Sequence, residues 1–245
     1  MAERRGKCED DGICYPWLME AFIPLIIILF IGIAIYASAM AKKRADERRQ
    51  HLAAFGAEHG LAFSPEQRSG MHEALPGFGL FRSGSNRYAQ NFLTGRWQEH
   101  DLTLFDYHYQ VTSGSGKSRR TTHYHYTVIL LRPDFPLRPL QIRPEGLWDR
   151  LTSMFGWDDI DFESAEFSQR FHVSAPDRRW AYDVVTPRTM EFLMAEPEEW
   201  TLTMDDAQLM VPLRGWCGSE RILQGLAAGT GLLEKIPRFA REGTA

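Results

Sequence analysis

Three histidines and an aspartate are the residues of this chain best placed to do chemistry together. His108 follows Asp106 in Asp106-Tyr107-His108-Tyr109, and His123 and His125 alternate with tyrosines in His123-Tyr124-His125-Tyr126. Alternation at period two marks strands with one apolar and one polar face. Over residues 102–111 it puts Phe105, Tyr107, Tyr109 and Val111 on one side and Asp106, His108 and Gln110 on the other. Over residues 121–131 it sets Tyr124, Tyr126, Val128 and Leu130 against His123, His125 and Thr127. Burial forces the two aromatic faces together, because a one-residue slip in register would turn every side chain over. His108, Asp106, His123 and His125 are therefore expected on one surface. Neutral imidazoles with one carboxylate are ligands for zinc or another divalent cation. Solvated faces of antiparallel sheets also carry His, Asp and Thr with no chemistry attached. A polar sheet face without a cofactor is the expectation, and a metal site on these four residues is the alternative.

Other motifs point away from catalysis. Gly114-Ser115-Gly116-Lys117-Ser118 ends like a phosphate loop, but Val111 stands where the pattern needs its first glycine, and a strand follows where a helix is required. A hairpin tip is expected there, with Lys117, Arg119 and Arg120 as solvated cations. Asp158, Asp159, Asp161 and Glu163 lack the glycine and spacing of a calcium loop. Cys217 lies between Trp216 and Gly218 with no histidine beside it and reads as a bystander thiol. Gly-x-Ser-x-Gly, Cys-x-x-Cys and His-Glu-x-x-His are absent from the sequence.

The elements that must hold these residues begin with a tether. Residues 21–41 carry no formal charge and include the run Leu25-Ile26-Ile27-Ile28-Leu29-Phe30-Ile31. As a helix they span roughly 31 Å, enough to cross a bilayer. Pro24 is expected in the first turn, where its missing N–H costs little, and Trp17 and Tyr36 fall near the two interfaces. Ala37-Ser38-Ala39 has the small residues of a cleavage site, yet the preceding residues are net acidic where a signal peptide is basic. Lys42, Lys43, Arg44, Arg48 and Arg49 follow the apolar run directly. The excess of positive charge on that side predicts a single-pass protein of the plasma membrane, with a short extracytoplasmic tail (residues 1–20) and a cytoplasmic domain. Cys8 and Cys14 share the tail, where an oxidising compartment would allow them to pair.

Beyond the anchor, residues 42–60 read as a juxtamembrane helix, charged at first and then turning Leu52 and Phe55 inward, with Gly60 as its C-cap. Residues 61–245 read as a globular α+β domain, an antiparallel sheet with flanking helices. A strand at 88–93 with a turn at Thr94-Gly95 precedes the histidine hairpin. The stretch with Pro133, Pro136, Pro139 and Pro144 suits a loop or an edge. A strand at 167–174, a helix at 187–195, a hairpin of 200–204 with 209–213, and a helix capped by Ser219 complete the domain. Gly225, Gly229 and Gly231 weaken that last helix and leave its length open.

The pattern Phe167-x3-Phe171-x-Val173, Asp177, Ala181, Thr186-Pro187, Met190 and Leu193, then Leu202 and Leu209, resembles a broad group of uncharacterised bacterial proteins with an N-terminal membrane segment. The strand Leu104-Phe105-Asp106-Tyr107-x-Tyr109 is similar to theirs. The resemblance covers about residues 50 to 235. It implies a bacterial membrane-associated domain and brings no catalytic residues.

With 28 Lys and Arg against 32 Asp and Glu, the chain carries a net charge of −4, which leaves no cationic excess for nucleic acid. The reading that follows is a non-enzymatic interaction or scaffold domain tethered to the bilayer through residues 21–41, with a membrane protein as its partner. The alternative is a membrane-bound metal-dependent enzyme using the histidine hairpin.

Overall fold

The computed structural model describes residues 16–145, 157, 159–205 and 207–242. Cys8, Cys14 and the expected tail lie outside them, apart from its last five residues. The chain divides into two compact units, one ending at Glu47 and the other beginning at Arg48. One helix, α1 (Pro16–Glu58), contributes to both.

In the first unit, α1 starts earlier than the apolar run alone predicts. Pro24 consequently sits inside the helix and not in its first turn. From Leu25 to Tyr36 the large apolar side chains are exposed, Phe30 and Tyr36 by about two-thirds (67% and 68%). Among the described residues, this is the one helix long and apolar enough to cross a bilayer.

The second unit is an α+β domain. Arg48, Leu52 and Phe55 recur at helical spacing and are all buried, so the last turns of α1 form one layer of its core. The helix closes as its glycine predicts: Gly60 takes φ +69°, and Leu61 N–H donates to Gly56 C=O (2.8 Å). Eight strands then form one antiparallel sheet. They are β1 (Ala62–Arg68), β2 (Ser85–Trp97), β3 (His100–Ser113), β4 (Arg120–Arg132), β5 (Leu140–Pro144), β6 (Phe171–Ser174), β7 (Leu202–Met204) and β8 (Leu209–Arg214). Their spatial order is β1-β2-β3-β4-β8-β7-β5-β6.

Two layers cover the sheet. On one face, Leu104, Ile129, Leu131, Val211 and Leu213 join the core residues of α1 and of α6 (Ser219–Lys235). The glycines of α6 are contact points: a Cβ at Gly229 would stand 2.7 Å from Leu131 Cδ1, and one at Gly225 3.0 Å from Ile129 Cδ1. The residues that weaken the helix let it approach the sheet, and it runs unbroken. On the other face, Phe105, Tyr107, Tyr126 and Val128 pack under Phe78, Leu80 and Phe81 of the segment that carries α2 (Met71–Ala74) and a 3-10 turn (Gly79–Arg82).

Several local expectations are corrected. The turn after β2 lies at Gln98-Glu99, with Trp97 paired to His100, so Thr94-Gly95 is strand. β5 is interior, between β7 and β6, because Pro133, Pro136 and Pro139 all precede it and only Pro144 lies in the strand, at its end. Residues 167–170 belong to α3 (Ala165–Arg170), whose N-cap Ser164 accepts from Phe167 N–H, and strand begins only at Phe171. Asp177 caps α4 (Arg178–Val184), a helix not expected from the sequence. Thr186 caps α5 (Pro187–Ala195), with the proline at its first turn as predicted. Gly218, not Ser219, holds the cap position of α6. A final turn, α7 (Arg238–Arg241), ends the described chain.

Candidate functional site

The hairpin places the four predicted residues on one face. Along β3 and β4, His108 pairs with His125, Asp106 with Thr127 and Gln110 with His123, so the aromatic faces coincide as burial requires. The face then separates into two groups with different chemistry.

The histidines form one group. His108 is buried (5% exposed), His125 half-buried and His123 exposed. His108 Nδ1 lies 3.1 Å from Asn86 C=O, and its Nε2 lies 3.0 Å from His123 Nδ1. A carbonyl only accepts, so His108 Nδ1 carries a hydrogen. Neutral His108 therefore accepts through Nε2 from His123 Nδ1–H. Its ring also lies 4.9 Å from His125 and 4.7 Å from Tyr88, and His125 meets the edge of Trp216 at 5.4 Å. Burial pushes the His108 imidazole below its ordinary value; the bond to Asn86 opposes this, and His125 and His123 add to it. Burial also lowers His125, with His123 adding and Asp106 opposing. Chemically, the pair of rings offers one proton position shared between His108 Nε2 and His123 Nδ1.

Asp106 belongs to a second, buried group. Arg48 of α1 grips it with two bonds, Nε to Oδ2 (2.9 Å) and Nη2 to Oδ1 (2.6 Å), and both side chains are almost inaccessible (7% and 1%). Arg48 Nη1 donates to Cys217 C=O and Nη2 to Thr127 Oγ1 (3.0 Å). Asn91 Nδ2 donates to Asp106 Oδ2 (3.0 Å), and Thr127 Oγ1 accepts from Cys217 N–H (3.1 Å). Both carboxylate oxygens are thus engaged by protein donors. The Cys217 thiol is buried, and burial raises its pKa away from the reactive thiolate. Nearby, His51 Nε2 meets Ser219 Oγ at 3.0 Å, and burial followed by Arg48 lowers its pKa. Among the described residues, no group of three or more His, Cys, Asp or Glu side chains is arranged to hold a metal ion.

Two residues that sequence reasoning passed over complete both groups. β2 carries a one-residue bulge between Ser85 and Tyr88 and another between Gln90 and Leu93. Each contains an asparagine in the left-handed region, Asn86 (φ +49°) and Asn91 (φ +57°). Asparagine tolerates that conformation better than other side chains, and a bulge re-aims what it carries. One bulge presents the Asn86 carbonyl to His108, the other the Asn91 amide to Asp106. The available signal was asparagine inside a strand, where it is otherwise depleted. Arg48, expected among the positive charges that set the topology, is buried instead: as a long-range partner of Asp106 it leaves no mark in local sequence.

No protein-family model matches the chain, and no curated protein sequence matches it. Among solved structures it is similar to the crystal structure of the mycobacterial trehalose monomycolate transport factor A, TtfA, with a TM-score of 0.57 and 14% identity over 78% of this chain and 96% of that one. At that identity the likeness establishes a shared fold.

Proposed function

We propose that this chain is a single-pass protein of the plasma membrane whose domain from Arg48 onward is a non-enzymatic module that engages a membrane protein partner. The carrying observation is that one helix, α1, has an apolar stretch with large side chains open to their surroundings and, from Arg48 on, side chains locked into a folded core. An apolar surface of that extent is stable only in hydrocarbon or against other apolar groups. Lys42, Lys43, Arg44 and Arg49 remain at the surface end of the apolar stretch after Arg48 is subtracted, and they favour a cytoplasmic domain. The fold shared with a protein named as a transport factor supports a role in assisting other membrane components. A metal-dependent alternative would have to rest on His108, His123 and His125, because Arg48 already holds Asp106.

Fractionation tests the proposal. The uncleaved chain should stay with carbonate-washed membranes and be released by detergent, and protease added outside sealed, right-side-out vesicles should leave residues 42–245 intact. Full-length chain in the supernatant without detergent would overturn the membrane assignment, and digestion of the domain from outside would overturn its orientation.

A further inference from the structure

The sheet contains a gap. β7 and β8 pair only at Thr203↔Met210 and Met204↔Leu209 among the described residues. On its other flank β7 stays on β5 as far as Ile142↔Leu202, and β8 stays on β4 as far as Tyr126↔Arg214. The two strands therefore diverge while each remains held from outside. A cavity of ≈ 190 Å³ lies in the gap, with Trp200, Thr201 and Thr203 on one side and Met210, Pro212 and Arg214 on the other. Pro212 sits where its missing N–H breaks no β7–β8 hydrogen bond.

The lining is mostly apolar and carries more positive than negative charge. Leu80, Trp200, Met210 and Leu213 are buried and give it an oily wall. Among the described residues, three arginines line it, Arg143, Arg214 and Arg221, against one acidic residue, Glu199, which Arg170 Nε holds at 3.2 Å. Arg221 is paired with Glu198 and stacks over the Trp200 ring at 4.4 Å, so it forms wall. Arg143 is nearly inaccessible (8%) and its Nη1 donates to Pro144 C=O at 3.4 Å, and Gln141 beside it donates to Thr203 Oγ1 at 3.3 Å. A cation in such poorly hydrated surroundings attracts an anion more strongly than one in water.

We infer that the gap between β7 and β8 is a binding site for a small anionic amphiphile, a single short apolar chain or ring ending in a carboxylate or phosphate. A cavity of this size takes one short chain with its head group. The apolar body lies against Trp200 and Met210, and the anion faces Arg143 and Arg214. The inference stands on the geometry of the cavity and holds whether or not the chain is a membrane protein.

The test is equilibrium dialysis of the full chain, reconstituted in phosphatidylcholine nanodiscs, against radiolabelled octanoate, octyl phosphate, octanol and octyltrimethylammonium, with empty nanodiscs subtracted. Octanoate or octyl phosphate should bind saturably at one equivalent, and the tighter of the two identifies the head group as carboxylate or phosphate. Octanol and octyltrimethylammonium should bind at least about tenfold more weakly, the scale of a hydrogen bond to a charged group. Arg143→Met should weaken the preferred anion about tenfold or more. Arg143 is buried, so the exposed Arg214→Gln serves as the second variant and should weaken it about threefold with the fold intact by circular dichroism. Equal binding of octanol or of octyltrimethylammonium, no saturable binding above the blank, or unchanged affinity in folded Arg214→Gln and Arg143→Met would overturn the assignment.

Discussion

Arg48→Met offers the sharpest test of how α1 is held to its sheet. The substitution keeps most of the side chain's apolar volume and removes the guanidinium, leaving Asp106 buried at 1% exposure with only Asn91 and Thr127 as donors. Removing one partner of a buried ion pair costs about 3–5 kcal/mol, because the remaining charge stays desolvated and uncompensated. Asp106→Leu should cost a similar amount for the opposite charge. In the double variant no stranded charge remains, although Asn91 Nδ2, Thr127 Oγ1 and the Cys217 carbonyl each lose a partner. The double variant should therefore lose about 3–5 kcal/mol in total, against about 6–10 kcal/mol for the sum of the singles. Guanidinium chloride unfolding of the full chain in nanodiscs, followed by near-ultraviolet circular dichroism, measures all four species. A loss under about 1 kcal/mol in Arg48→Met, or a double variant equal to the sum of the singles, would refute the buried network as the lock between α1 and β3.

Three further outcomes are expected. Burial depresses the pKa of His108 and His125 below the ordinary 6.5, so the unfolded chain binds more protons once the pH drops under that value. Stability should consequently fall as the pH drops below 6.5 in urea titrations, and His108→Gln with His125→Gln should reduce the slope, with His51 and His100 supplying the remainder; a wild-type profile flat below pH 6.5 would refute this. Gly84 takes φ +62°, and a Cβ there would stand 2.3 Å from Gln110 C=O, so Gly84→Ala should lose about 2–4 kcal/mol in thermal or chemical unfolding. Zinc added at equimolar concentration should leave the unfolding midpoint of the chelator-treated chain unchanged, and a rise that His123→Ala abolishes would restore the metal reading for His108, His123 and His125.

What the sequence disclosed depended on how far apart the deciding residues lie. Alternation over a few residues was enough to assign Asp106, His108, His123 and His125 to one face, because the tyrosines between them admit only one buried side. Caps with a local signature were legible too, as Gly60 and Pro187 show. Proline density misled at β5, since the rule against proline in interior strands concerns the ladder positions themselves, and three of the four prolines come before them. The glycines of α6 misled for a related reason: propensity describes a helix in water, whereas these positions pack close against Leu131, Ile129 and Phe192, where an added Cβ would force the neighbouring side chains to shift.

Arg48 shows where local reading must fail. Beside Arg44 and Arg49 it has the composition of a topology signal, and only a carboxylate 58 residues away distinguishes it. A buried charge is tolerated when its partner is fixed in advance, and the partner here is fixed from three directions: by the β3 ladder, by Asn91 at the second bulge, and by Thr127 across the strand pair. The bulge that breaks the regularity of β2 is thus a condition for burying Arg48, and Asn91→Ala should destabilise the domain by about 1–3 kcal/mol, the cost of an acceptor left short in an apolar setting. The share of that cost that comes from the lost bond should vanish when Asp106→Leu is already present, because the amide of Asn91 then has no carboxylate to support, while the strain of alanine in the left-handed region stays in both backgrounds. A full, additive loss for Asn91→Ala in the Asp106→Leu background would show that the bulge serves the strand alone and not the ion pair.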